Sequence, residues 1–190
     1  MISHWKTIIL IHILRLRYRF KQMAMKNISI IAAIAENFAI GKNNRLLWHI
    51  PEDLKRVKRL TTGNVIIMGK STYFSLPRRP LPDRINLVIS DDPDDKFEGC
   101  VMAYSIEDAL TKIGGEKENF IFGGASVYRQ FFPLASKLYL TMVHKTFDAD
   151  TFFPEIDFGL WTELFRSDFP FDEKLGFSYS FVNYIRKENS

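Results

Sequence analysis

The sequence predicts an α/β fold of three layers, helices over sheet over helices, with a mostly parallel central sheet and an antiparallel C-terminal edge. Three observations predict it. Short, continuous apolar runs of strand length recur along the chain, helical patterns separate them, and the C-terminal stretch is rich in strands with little room for a crossover helix. Continuous apolar runs are typical of strands covered on both faces, and strand–helix alternation is typical of a parallel sheet.

The elements follow one another in a simple order. The predicted strands are Ile28–Ala35, Val65–Met68, Asn86–Ser90, Asn119–Phe122, Lys137–His144 and Phe177–Ile185. The predicted helices are Pro51–Thr61, Lys70–Leu76, Ser105–Ile113 and Ser126–Leu134. Proline suits the first turn of a helix, which supports the helix beginning at Pro51. Ligands of open sheets collect at the carboxyl ends of strands, so we expect the site just after the first four strands.

Length and composition are those of one compact domain. The chain has 190 residues, 46% of them apolar and 25% charged, which excludes a disordered or collagen-like protein. Cys100 is the single cysteine, so an internal disulfide and a cysteine-based metal cluster are excluded. The four histidines are scattered, and we predict no metal site.

The positive charge lies in a leader, residues 1–25. The net charge is +4, but the leader holds five basic residues and no acidic one, leaving 21 basic and 22 acidic residues beyond it. A nucleic-acid function is therefore disfavoured. The apolar run 7–14 is too short to span a membrane. We predict the leader to be an over-extended start of translation or a poorly ordered tail, with a basic membrane-surface helix as the alternative, and residues 26–190 to be the functional domain.

Two glycine turns follow predicted strands and are candidate anion sites. The first, Gly69-Lys70-Ser71-Thr72, ends like a P-loop, but Asn64 stands where a P-loop requires glycine. Backbone N–H groups and Lys70 at a helix start suit an anion, although a plain capped turn fits equally well. The second turn, Gly123-Gly124, lacks the third glycine of the Rossmann fingerprint, and a tight packing turn fits equally well. Two such turns on one sheet favour a dinucleotide.

Asp53 is the most informative residue of the sequence. Val57 and Leu60 stand at i+4 and i+7 from it, so the carboxylate lies on the apolar stripe of helix 51–61 and points inward. Glu52 has basic residues at i+3, i+4 and i+7, and we expect it to face solvent among them. We see no basic partner on the stripe of Asp53. Either helix-end N–H groups satisfy this carboxylate, or it is held for a cationic or multi-donor ligand.

Several motifs, each weak alone, occur in a specific order and spacing. They are Ile-Ala-Ala-Ile-Ala at 31–35, Ile40-Gly41, Leu-Trp-His-Ile-Pro-Glu-Asp-Leu at 47–54, Val-Ile-Ile-Met-Gly-Lys-Ser-Thr at 65–72, Arg-Pro-Leu-Pro-Asp-Arg-Ile-Asn at 79–86, Gly123-Gly124 before Val127-Tyr128, and Leu-Tyr-Leu-Thr at 138–141. Together they resemble the dihydrofolate reductase family, from Ile28 to about Arg186. The resemblance implies a catalytic domain that reduces 7,8-dihydrofolate to tetrahydrofolate with NADPH and supplies one-carbon metabolism, as a cytoplasmic monomer and antifolate target.

The resemblance also assigns residues. It places the substrate at Ile31, Asp53, Leu54, Val57, Arg84 and Thr141. Asp53 would accept hydrogen bonds from the pterin N3 and 2-amino group, Thr141 would complete that network through water, and Arg84 would hold the glutamate carboxylate. It places the cofactor at Ala33, Ile40, Gly41, Trp48, Lys70, Ser71, Thr72, Ser90, Gly123, Gly124, Ala125, Ser126 and Val127. Of these, Lys70, Ser71 and Ser90 would bind the 2′-phosphoadenosine end.

The chain departs from the family pattern at four positions. Leu47 replaces a frequent proline, Val57 a frequent aromatic residue, Ala125 a third glycine and Asp83 a frequent glycine. We expect looser packing at Val57 and a weaker hold on the folate carboxylate beside Asp83, but none of the four removes a group that the chemistry needs. Two alternatives remain: a pyrimidine-type reductase of riboflavin synthesis, which the Asp53 and Arg84 positions disfavour, and a non-catalytic nucleotide-binding module.

Overall fold

A computed structural model describes residues 27–188, and the predictions made for residues 1–25 lie outside that range. Ten strands are formed: β1 (Ile28–Ala35), β2 (Ala39–Gly41), β3 (Val65–Gly69), β4 (Ile85–Ile89), β5 (Cys100–Ala103), β6 (Asn119–Gly123), β7 (Lys137–Val143), β8 (Thr151–Phe152), β9 (Trp161–Asp172) and β10 (Phe177–Arg186). Four α-helices lie between them: α1 (Pro51–Thr61), α2 (Lys70–Ser75), α3 (Ile106–Lys112) and α4 (Ala125–Phe131).

The central sheet has eight strands in the order β5-β4-β3-β6-β1-β7-β10-β9. All pairings from β5 to β7 are parallel, whereas β10 is antiparallel to both β7 and β9. The mostly parallel sheet and its antiparallel C-terminal edge are therefore confirmed. β2 and β8 form a separate antiparallel pair.

Helices cover both faces of the sheet. Side chains alternate along β1, so that Ile30 packs in the cluster containing Val127 and Phe131 of α4, whereas Ile31 packs with Val57 of α1 and Tyr73 of α2. Strands covered on both faces bury nearly every side chain, which is why their sequences are continuously apolar. The predicted three-layer architecture is thereby confirmed.

The structure differs from the prediction at short and exposed elements. Four strands, β2, β5, β8 and β9, were not predicted. β9 is an edge strand whose side chains are mostly exposed, so it has no apolar periodicity to detect. The predicted helix Ser126–Leu134 ends as an α-helix at Phe131 and continues as a 3₁₀ turn, since Pro133 has no N–H to donate. Within residues 27–188, no helix is long and apolar enough to cross a membrane.

Candidate active site

Asp53 faces the sheet from the first turn of α1. The hydroxyl of Thr141, which is fully buried in β7, donates to Asp53 Oδ1 at 2.5 Å. Thr141 is brought there because β7 pairs in parallel with β1, where it stands opposite Ala33. The residue that caps α1 is Ile50, not Asp53. The inward direction predicted for Asp53 is confirmed, and its partner belongs to the sheet rather than to the helix end.

Arg56 corrects one of our predictions. We placed residue 56 on the solvent-facing cationic side of α1, but its side chain is buried at 6% exposure. Its guanidinium donates to Asn183 Oδ1 at 2.7 Å, to the Leu140 carbonyl at 3.4 Å and to Thr141 Oγ1 at 3.4 Å. It also lies 4.7 Å from the centre of the Phe181 ring. The apolar stripe of Asp53 was defined by positions i+4 and i+7 alone, whereas Arg56 stands at i+3 from Asp53, and residues three apart also share a helix face.

Asp53 and Arg56 are linked through Thr141. The Thr141 hydroxyl accepts a hydrogen bond from Arg56 and donates one to Asp53. The hydroxyl therefore lies between the guanidinium and the carboxylate. Burial raises the pKa of Asp53, and the Thr141 hydrogen bond and the Arg56 charge both oppose this rise. Burial lowers the pKa of Arg56 to about 10. Thr141 uses only one of about four acceptor positions of a carboxylate, which leaves room for a ligand with two adjacent donors.

The backbone carbonyl of Ile31, in β1, is held by a side chain of α4. The buried hydroxyl of Tyr128 donates to this oxygen at 2.8 Å, and a carbonyl oxygen can accept a second hydrogen bond. Burial and the charge of Asp53 both raise the pKa of Tyr128, so its hydroxyl stays neutral. In the sequence Tyr128 was noted only as part of a motif, and its hydrogen bond to the Ile31 carbonyl was not predicted. Its position on the first turn after a Gly-Gly pair was the available signal.

The two glycine turns that we predicted as anion sites come together. β3 and β6 are neighbours, with Met68 opposite Gly123. A Cβ on Gly69 would lie 3.3 Å from Val127 Cγ2, and a Cβ on Gly124 would lie 3.3 Å from Thr72 Oγ1. The turns therefore form one continuous surface.

The second turn has unusual backbone geometry. The peptide bond between Gly123 and Gly124 is cis, and Gly123 has φ +109°, which favours glycine. Ala125 begins α4 with helical, negative φ, so this departure from the family pattern is tolerated as expected. Ser126 and Val127 follow in the first turn of α4.

Lys70 and Ser90, from neighbouring strand ends, meet at one carboxylate. Lys70 Nζ lies 2.6 Å from Asp95 Oδ2, and the buried hydroxyl of Ser90 donates to the same oxygen. Ser71 is exposed beside them. Three of the residues predicted at the adenosine end are thus adjacent, with an acidic side chain of the protein between two of them.

The remaining predicted substrate residues lie on α1 and directly before β4. Leu54 is half exposed, and Val57 packs against the cluster that contains Ile31. Arg84 is held at the end of α1, where its Nε donates to Thr61 Oγ1 at 2.8 Å and burial lowers its pKa. Asp83 beside it has φ +60°, a left-handed conformation that aspartate tolerates better than most residues.

The remaining predicted cofactor residues lie where β1 and β2 end. Ala33 is partly buried in β1, and Ile40 and Gly41 are buried in β2. Trp48 packs against Phe147 at 5.1 Å between ring centres and so fixes the chain that leads into α1. Most of the predicted cofactor residues therefore lie at or near strand ends, whereas Arg84 precedes β4 at the opposite end of the sheet from Ser90.

Comparisons with known proteins agree with this arrangement. A family model described as dihydrofolate reductase matches residues 27–186. The chain belongs to the dihydrofolate reductase family. It is 42% identical to dihydrofolate reductase of Bacillus subtilis (strain 168), an alignment that covers 86% of this chain and 96% of the relative. It is 45% identical to the enzyme of Neisseria meningitidis serogroup A, covering 85% of this chain and 99% of the relative.

A solved dihydrofolate reductase has the same fold. The enzyme from Enterococcus faecalis, complexed with NADP(H) and RAB-propyl, superposes with a TM-score of 0.77 at 35% identity, over 86% of this chain and 98% of that chain. The predicted family, enzyme class and fold are confirmed, and the NADP(H) in that complex agrees with the predicted cofactor. The family match decides against the riboflavin-pathway reductase. Within residues 27–188, no group of three or more metal-ligating side chains is formed.

Proposed function

We propose that this dihydrofolate reductase converts 7,8-dihydrofolate to 5,6,7,8-tetrahydrofolate with NADPH and so supplies one-carbon metabolism. The observation that carries the proposal is the inward carboxylate of Asp53, bonded to Thr141 and open to further donors. A pterin ring presents two adjacent donors, N3–H and the 2-amino group, and a carboxylate is the complementary acceptor. Cytoplasmic location and a monomeric state stay predictions.

Asp53 orients the pterin and supports its protonation. A negative charge in a partly buried cleft favours the cationic pterin that forms when N5 gains a proton, because the local dielectric is low. No side chain that we predict at the site is an evident proton donor to N5, so we propose water as the donor. The Ile31 carbonyl, fixed by Tyr128, adds a second acceptor against the ring.

The strand ends hold the cofactor beside the pterin. NADPH supplies a hydride to pterin C6 when it is bound. In this proposal Ala33 and Ile40 contact the nicotinamide carboxamide through backbone groups. Thr72 and residues 123–127 contact the diphosphate, and Lys70, Ser71 and Ser90 bind the 2′-phosphoadenosine. Much of the rate acceleration then comes from alignment of two rings in a cleft that excludes water.

Replacement of Asp53 by asparagine tests this proposal. Asp53→Asn keeps the shape but loses the charge and leaves the pterin donors badly matched, which costs about 2–5 kcal/mol. At the transition state this corresponds to a fall in kcat/KM of roughly 30-fold to several-thousand-fold. The measurement is NADPH oxidation with dihydrofolate, followed by absorbance.

Glu52→Gln is the matched control, because it removes the same charge from the exposed neighbour of Asp53 on α1. We expect the control to stay close to wild type. An Asp53→Asn variant within about threefold of wild type would refute the assigned role, as differences that small amount to well under 1 kcal/mol. Wild-type protein that binds NADPH but does not oxidise it with dihydrofolate would indicate the non-catalytic module instead.

A further inference from the structure

Asp95 occupies the place where the proposed function puts the 2′-phosphate of the cofactor. Lys70 Nζ lies 2.6 Å from Asp95 Oδ2, and Ser90 donates its hydroxyl to that same oxygen. Ser90 is 2% exposed, and the Asp95 side chain is 16% exposed, so this is a partly enclosed contact. A cation and a hydroxyl that converge on one anionic oxygen are also what a phosphate monoester requires.

The surrounding loop makes the contact more acidic than a lone ion pair. Asp91, Asp92 and Asp94 are exposed between Ser90 and Asp95, with Pro93 as the only other residue. Asp92 folds back onto the contact, since its backbone N–H donates to Ser90 Oγ at 3.1 Å. The hydrogen bond to Asp95 raises the pKa of Lys70, and the charges of Asp95, Asp92 and Asp91 raise it further. The single cation of the contact therefore faces three carboxylates from one loop.

Asp95 also has a contact from another element of the fold. Tyr104, which follows β5, donates its hydroxyl to the Asp95 carbonyl at 3.3 Å, but it is a neutral group. Hydrogen bonds from Lys70 and Ser90 hold the pKa of Asp95 below its usual range. Asp95 is therefore ionised throughout the pH range of an enzyme assay.

We propose that Asp95 is a specificity-determining residue that competes with the cofactor 2′-phosphate for Lys70 and Ser90 and so narrows the preference of this enzyme for NADPH over NADH. This inference rests on the proposed placement of the adenosine end. A dianionic 2′-phosphate can reach Lys70 only if Asp95 gives up both contacts and tolerates a like charge nearby. The 2′-hydroxyl of NADH carries no charge and can donate to Asp95. Its binding therefore requires neither loss of the Asp95 contacts nor the approach of two like charges.

Asp95→Asn is the central variant of the test. It removes the competing charge and keeps the size of the side chain. Binding of the two fragments 2′,5′-ADP and 5′-AMP is measured by titration calorimetry, which is independent of turnover. We expect Asp95→Asn to bind 2′,5′-ADP about tenfold more tightly, because a full like charge is removed, and to bind 5′-AMP as the wild type does. The KM for NADPH with dihydrofolate falls in parallel, while the KM for NADH stays the same or rises.

Two further variants make the result specific. Asp94→Asn removes the same charge one residue away and leaves the Lys70 contact intact, so we expect no change in either fragment. An equal gain in both variants would show a general effect of loop charge and overturn the proposal. Lys70→Ala reports the placement itself, since it must weaken 2′,5′-ADP and spare 5′-AMP.

The possible outcomes separate the inference from the function on which it rests. Weaker or unchanged 2′,5′-ADP binding in Asp95→Asn overturns the inference, because Asp95 would then position Lys70 rather than compete for the phosphate. If Lys70→Ala weakens both fragments equally, the placement is wrong, and the inference is overturned with it. Failure of the wild type to oxidise either cofactor with dihydrofolate would instead count against the proposed function. Unchanged thermal midpoints confirm that the loop variants are folded.

Discussion

Arg56 shows how much one residue changes the character of this site. An ionised carboxylate on an apolar stripe requires compensation. Here Thr141 donates a hydrogen bond to Asp53, and the positive charge of Arg56 lies on the other side of the same hydroxyl. The cation is itself held by Asn183, by the Leu140 carbonyl and by the face of Phe181. Asp53 thereby stays available to a ligand rather than pairing directly with the guanidinium.

We expect Arg56→Met to make Asp53 harder to ionise. The charge of Arg56 lowers the pKa of Asp53 against the effect of burial, so its removal lets that pKa rise further. The acidic limb of kcat/KM for dihydrofolate, measured against pH with saturating NADPH, should then move to higher pH by about one unit. Tyr128 and Tyr179 also lie in the field of Asp53, but their raised pKa values keep them neutral across this range.

Arg59→Met is the matched control for this shift, because Arg59 is exposed on the same helix and loses the same charge. Arg56→Lys keeps the charge and should retain most of the wild-type profile. If Arg56→Met and Arg59→Met give the same acidic limb, the cation behind Thr141 has no special influence on Asp53.

At the scale of elements, a side-chain hydrogen bond adds to the apolar packing between α4 and β1. Tyr128 crosses from the first turn of α4 to the Ile31 carbonyl in β1. Its ring packs against Gly123 at the end of β6, where an added Cβ would lie 3.1 Å from Tyr128 Cε2. Glycine is therefore required at position 123 for two reasons: its backbone has φ +109°, and the Tyr128 ring leaves no space for a Cβ. Tyr128 therefore holds both the glycine turn and the Ile31 carbonyl, which we propose as an acceptor for the substrate.

We expect Gly123→Ala to destabilise the protein more than Gly63→Ala. Both glycines have positive φ, but a Cβ on Gly63 meets nothing within 4 Å. Gly63→Ala should cost about 1 kcal/mol of unfolding free energy, which is the left-handed penalty less the entropy lost by the unfolded chain. Gly123→Ala should cost about 2–4 kcal/mol, because its Cβ also overpacks against Tyr128.

Urea denaturation followed by circular dichroism measures both glycine variants in the same way. Equal losses would show that backbone conformation alone explains the need for Gly123. A larger loss at Gly123 would show that the ring of Tyr128 has no room to move, as expected in a close-packed interior.

The antiparallel end of the sheet shows where sequence pattern fails at the element scale. Predictions for β1, β3, β4, β6 and β7 agree with the structure to within about a residue because their burial on both faces is visible as apolar runs. β9 has Phe165 and Phe171 exposed and Pro170 within it, a pattern that no single-strand rule selects. β9 is specified by its pairing with β10, which is a long-range property.

At the scale of the whole molecule, the sequence predicts which segments form the candidate site but not all the side-chain contacts within it. The rule for strand ends predicts a site after the parallel strands, and the inward direction predicted for Asp53 is confirmed. Arg56 and Asp95 could not be assigned in this way. The contacts of Arg56 with β7 and β10 span 84 to 127 positions of sequence, and Asp95 meets Lys70 across two strand ends. Such contacts depend on the order of strands in the sheet, and the sequence of each strand carries no signal for that order.

Residues 1–25 carry the excess of basic residues, and the rest of the chain is nearly neutral. This difference leads to a prediction about removing the leader. The family model begins to match at residue 27, and β1 begins at Ile28. We therefore propose that a variant beginning at Met25 retains the reductase domain, with kcat/KM within about twofold of the full chain and a thermal midpoint within about 2 °C.

Loss of the leader removes five basic residues and no acidic one, so the net charge changes from +4 to −1. The shortened protein should elute from a cation exchanger at lower salt. A tenfold loss of activity would contradict the proposed division, and binding to anionic vesicles by the full chain alone would instead favour the membrane-surface helix.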